Sequence, residues 1–245
     1  LLVVLGVRFY RSVAPFWHLP RGNFEKARRL FLWMTGSWFK TTRRTGVLGA
    51  AACDQFLGRY EDALVALRSL PYDDLDKAMK SAVDTGIGSA LSSLERDPRE
   101  VRERFERAAA FGRYPEILLG IAHAELSLGR PGQAQRLFDE AMNMPSGGSI
   151  KLSGSGTGTL RYSGFVEQDT KLQAGWFLAR VGRTDEAVAL LEEAADWPIQ
   201  SSMNDEAKKR LAGLPRPPSH DDDDPPPVST GAVVIDSWPP GPLRR

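Results

Sequence analysis

The sequence predicts an all-α protein, a solenoid of stacked antiparallel helix pairs, and three observations carry that expectation. A phrase recurs: a Gly, an Ala five residues on, and a bulky apolar residue four further. It reads Gly22, Ala27, Phe31; Gly58, Ala63, Leu67; Gly129, Ala134, Phe138; and Gly182, Ala187, Leu191. Each Gly from Gly58 onward stands where one helix would stop and the next begin, the position that favours a left-handed residue. Pro71, Pro145 and Pro198 then punctuate the ends of the second helices, where a helix cannot easily continue. Recurrence at this period points to units that each cover a neighbour's apolar face.

Taken in order, Asn23 is placed to cap a helix running to about Lys40, with Phe24, Ala27, Phe31, Met34 and Trp38 advancing by three and four along one stripe. Leu32, Trp33 and Phe39 widen that stripe, so the helix lies deep in the protein or touches lipid. Further helix pairs are expected over 45–57 with 60–70, 73–95 with 98–111, 113–128 with 131–143, and 166–181 with 184–196. A last short helix over 202–213 reads as a cap whose outer face carries Asp205, Glu206, Lys208 and Lys209.

Residues 146–164 are rich in Gly and Ser and lengthen one connection, as a flexible loop or a small hairpin. Residues 214–245 hold nine prolines and the run Asp221 to Asp224, a composition that predicts a disordered acidic, proline-rich tail. The domain boundaries expected are thus an apolar and basic segment 1–20, a repeat domain 21–213 and the tail.

The spacing resembles the tetratricopeptide repeat, an antiparallel helix pair of about 34 residues. Residues 115–145 match best, through Gly129, Ala134, Phe138, Ala141 and Pro145, and 168–198 follow with Gly175, Gly182, Ala187, Leu191, Ala194 and Pro198. Residues 44–71 match more loosely. The unit at 82–111 keeps Phe105 and Ala108 but has Val101 where a small residue belongs. The resemblance implies a right-handed superhelix whose first helices line a concave groove. Thr45, Gln55, Glu116, His123, Asp169 and Trp176 would face that groove and grip a protein or peptide ligand. For Trp176, packing against the next repeat is an equally good reading.

Charge is nearly balanced over the 245 residues, at +1, but unevenly spread. Residues 1–50 carry nine Lys and Arg against Glu25 alone, a net of +8. Leu1 to Val7 is apolar yet far shorter than the roughly 20 residues that span a bilayer, and Arg8, Arg11, Phe16 and Trp17 follow. Two readings stay open: the end of a membrane anchor, or a buried first helix of the solenoid. On the first, Arg8, Arg11, Trp17, Arg28 and Arg29 would meet an anionic membrane surface, and the repeat domain would be membrane-associated on the cytoplasmic side. On the second, the protein is soluble and cytoplasmic.

Catalytic signatures are missing. Gly154 to Gly158 has no following Lys and no strand–helix setting for a phosphate loop. His18, His123, His220 and the lone Cys53 offer no metal spacing, and the acidic run at 221–224 lacks the rest of a calcium loop. No nucleophile elbow or zinc-protease pair is present, and one cysteine excludes an internal disulfide. The expectation is a scaffold or adaptor with no cofactor and no enzyme activity. Two alternatives remain: the regulatory part of an enzyme whose catalytic domain lies upstream, and a nucleic-acid binder using the basic start, although its aromatics do not form a stacking platform. An uncovered terminal helix would also let copies stack as a homo-oligomer.

Overall fold

A computed structural model describes residues 14–144 and 163–215, and every element among them is helical. Helix α1 is described over residues 14–18 and leads through a 3-10 turn, Leu19–Arg21, into α2 (Phe24–Thr35) and α3 (Lys40–Phe56). Then come α4 (Tyr60–Arg68), α5 (Lys77–Ser93), α6 (Pro98–Ala109), α7 (Pro115–Ser127) and α8 (Pro131–Met142). The chain ends its described course in α9 (Ser163–Arg180), α10 (Thr184–Ala195) and α11 (Ser202–Ala212). All of these helices belong to one compact unit, Leu1–Leu214.

Neighbours in sequence pack together, and each odd-numbered helix from α3 onward also touches the next odd one: α3 on α5, α5 on α7, α7 on α9 and α9 on α11. That second pattern defines a solenoid, with α3, α5, α7, α9 and α11 forming the inner layer. Ala27, Ala63, Ala134 and Ala187 are fully buried, with Phe31, Leu67, Phe138 and Leu191 one turn on also in the core. The recurring phrase is therefore the contact ridge of the second helices.

The turn glycines do what the phrase requires. Gly58, Gly129 and Gly182 have φ of 74°, 75° and 83°, and the next residue closes back onto the helix, Arg59 N to Asp54 O, Arg130 N to Glu125 O and Arg183 N to Leu178 O. This is the left-handed helix stop that satisfies the last free carbonyls. The same closure ends α5, through Arg96 N to Leu91 O, but Glu95 occupies the left-handed position at φ 52°.

Several sequence expectations are corrected. The helix begun at Phe24 stops at Thr35 rather than near Lys40, and the next begins at Lys40 rather than 45. Gly36 disfavours continuation, and Ser37 Oγ accepts from Phe39 N, so the chain turns over 36–39. Trp38 leaves the buried stripe and stands 96% exposed. The helix expected from 73 begins at Lys77, where Asp76 caps it by accepting from Met79 N at 2.8 Å. Asn23 precedes α2, but its side chain makes no cap hydrogen bond.

The weak unit at 82–111 keeps close packing by another route. Val101 is buried, and the room is made by glycines facing α6 from both sides: a Cβ on Gly88 or Gly120 would fall 3.0 or 2.5 Å from the Phe105 ring. The insertion reaches only to Ser163, where α9 begins. Residues 145–162, with the loop-or-hairpin expectation, and the tail from 216 lie outside the described residues, as do Arg8 and Arg11.

Candidate functional site

The inner helices line an open cavity of about 680 Å3. Thr45 and Gln55 reach it from α3, Thr85 from α5, Glu116 from α7, and Asp169 and Trp176 from α9. Its walls alternate these polar groups with apolar ones such as Leu48, Phe56, Ile117 and Leu172. Five of the six groove residues read from the sequence thus share one cavity, brought there from positions more than a hundred residues apart.

His123 is the exception. It is buried beneath Trp176, 2% exposed, with the two rings stacked at 4.2 Å and Nε2 2.8 Å from the Gln173 carbonyl. Burial above all holds its imidazole far below the usual range, at about 3, with the Arg180 and Arg210 charges acting in the same direction. The ring is neutral at physiological pH and acts as packing.

Trp176 is likewise held. The Arg210 guanidinium lies 3.6 Å from the centre of its ring and that of Arg180 5.5 Å away, in addition to the His123 stack. These contacts are those the packing reading of Trp176 expects, while the residue also lines the cavity. Gln55 is also engaged: its Nε2 donates to the Gly86 carbonyl at 2.8 Å, fastening α3 to α5.

The carboxylates are the less committed groups. Asp169 accepts one long hydrogen bond from Gln173 Nε2, 3.3 Å, and burial raises its carboxyl to about 6. Glu116 is raised too, first by burial and then by the Asp169 charge, and its Oε2 is buried without a hydrogen-bond partner in the structure. Two acids of elevated pKa therefore line one wall, with unused acceptor capacity.

Sequence reasoning missed the fifth wall. Helix α11 returns across the inner face, so that Ser202, Met203, Glu206 and Arg210 line the cavity. Ser202 Oγ donates to the Gln55 carbonyl at 2.9 Å across 147 positions, and Ile199 and Met203 pack on the cluster of Leu19, Phe24 and Phe31. Glu206, expected on the outer face, instead pairs with Arg210 at 2.5 Å on the cavity side. Asp205, Lys208 and Lys209 are exposed. The helix is pinned by a capping box at Ser201 and Asn204, with Asn204 also donating to the Ala195 and Trp197 carbonyls. A polar Asn at this buried spot was the available signal, but nothing local says where a last helix lands.

Other buried acids are structural. Asp54 is held by Arg28 at 2.5 Å, Asp84 by Arg104 and Arg107 at 3.3 and 3.4 Å, and Glu125 by Arg102 and Arg130. Arg28, one of the expected membrane contacts, is thus tied to a buried carboxylate. Arg29 is exposed, and Trp17 is 64% exposed with Arg21 5.2 Å from its ring. Among the described residues there is no cluster of three His, Cys, Asp or Glu placed to hold a metal. None of the described helices is long and apolar enough to cross a membrane.

Fold and site together define a helical-repeat protein with a concave inner face of mixed polar and apolar lining. No family model matches the chain, and no curated protein matches it in sequence. Among solved structures, one titled "Crystal structure of MamA" is similar at 17% identity and a TM-score of 0.44, covering 80% of this chain and 95% of that one. A likeness that loose does not bear on what the chain does.

Proposed function

We propose that the chain is a non-catalytic scaffold of the tetratricopeptide type, and that its inner cavity takes an extended segment of a partner protein with a Lys or Arg set against Glu116 and Asp169. The observation that carries this reading is the unpartnered Glu116 Oε2 beside the raised Asp169 carboxyl in a cavity of mixed polar and apolar lining, with Arg210 already paired to Glu206. A buried acceptor without a donor costs about 1–3 kcal/mol, and a cationic side chain restores both the hydrogen bond and the charge balance. Flanking apolar residues of the segment would cover Ile117 and Leu172. An open cavity of mixed lining and this volume is in the range of ordinary binding sites.

The test is a panel of fluorescent peptides that differ only in a central Lys, norleucine or Glu between apolar flanks. Lys peptides should bind best, weaken below about pH 6 as Asp169 takes up its proton, and lose about tenfold or more against Glu116→Gln/Asp169→Asn. Equal binding of the three peptides, or indifference to the double substitution, would overturn the reading.

A further inference from the structure

The turn over 36–39 gathers large apolar side chains in water. Trp38 is 96% and Phe39 75% exposed, and Leu32 and Trp33, in the last turn of α2, are each 42% exposed. All four fall within eight consecutive residues, at the tip of the α2–α3 hairpin. Around them stand exposed Arg29, one turn before Trp33, Lys40 beside Phe39, and Arg43 one turn into α3. No Asp or Glu occurs between Glu25 and Asp54. The basic residues of the tip itself thus meet no acidic neighbour along the hairpin, whereas Arg28 and Arg44 further back are paired with Asp54 and Asp74.

From this arrangement we propose that the α2–α3 tip docks on an anionic lipid surface, with Trp38 and Phe39 entering the headgroup boundary and Arg29, Lys40 and Arg43 meeting lipid phosphates and carboxylates. Aromatic side chains favour the membrane–water boundary, and nearby Lys and Arg are drawn to anionic headgroups. A specific protein interface takes about 800 Å2 from each partner. Full burial of one aromatic side chain supplies about 150–250 Å2, so two free rings and two half-covered side chains fall short of that area. A lipid surface needs no matching shape, and a protruding, basic, aromatic tip suits it. The surface lies outside the cavity and does not depend on what the cavity holds.

The experiment uses the full 245-residue chain in flotation with vesicles of phosphatidylcholine alone and with phosphatidylserine added, at low and high salt. Two variants accompany it: Trp38→Ala/Phe39→Ala and Arg29→Glu/Lys40→Glu/Arg43→Glu, each checked for helix content and unfolding temperature. The proposal expects binding to the phosphatidylserine vesicles, weakened by salt, and about tenfold or more weaker in either variant. It is overturned if the wild type ignores these vesicles, or if both folded variants bind as it does, which would place any affinity in residues 1–13. A self-association abolished by the aromatic variant, or oligonucleotide binding abolished by the charge variant, without vesicle binding, would instead assign the tip to a second copy or to nucleic acid.

Discussion

His123 and Asp169 sit within one network and titrate in opposite senses. The folded imidazole resists protonation down to about 3, against the usual 6.5. Below that usual value the unfolded chain therefore binds a proton the fold refuses. The stability His123 contributes is complete above 6.5 and is lost as pH falls toward 3. Asp169 holds its proton up to about 6 in the fold against 3.8, so its contribution grows on acidification through that window. Between about pH 4 and 6 the two nearly cancel. Replacing His123 with Gln removes one side of the balance. The stability difference between wild type and His123→Gln should then shrink by about 2 kcal/mol from pH 6.5 to about 5, at about 1.4 kcal/mol per unit. Urea unfolding at the two pH values checks it, and a constant difference would mean that the folded ring takes up its proton over the same range as the unfolded one.

At the scale of the element, the turns show how much of the fold is legible in the chain. The glycines at 58, 129 and 182 were readable because a left-handed residue is a demand few side chains meet. Gly129 has open space where a Cβ would stand, with no atom within 4 Å, so Gly129→Ala tests backbone strain alone and should cost about 1–2 kcal/mol. Glu95 is the converse case: it accepts the same conformation without being Gly, and Glu95→Gly should stabilise by about 1 kcal/mol. Thermal unfolding of the two variants should move in opposite directions; a shared sign would refute the common turn geometry. The break between 95 and 98 was read from the sequence, but the recurring phrase fails there because Asp97 and Pro98 add a residue before the ridge, sliding Val101 into the small position. The break at 36–39 was hidden. Trp38 and Phe39 continue the apolar pattern, and periodicity alone cannot tell a buried stripe from an exposed tip.

For the whole molecule, the inner face was partly legible. Polar residues at inner-helix positions, where a simply buried helix would carry aliphatic ones, singled out Thr45, Gln55, Glu116 and Asp169, and these four line the cavity. Their individual states were not legible. The contacts of Trp176 with His123 and Arg210 and the placement of α11 depend on contacts spanning up to 147 positions, which no local pattern encodes. The account's central claim is that a partner segment lies along the inner layer. Hydrogen exchange, read by mass spectrometry with and without the tightest-binding Lys peptide of the panel, tests it most directly. Protection should rise in α5, α7, α9 and α11 and stay unchanged in the outer helices α4, α6, α8 and α10. Protection confined to those outer helices, or none at all with the peptide bound, would contradict it.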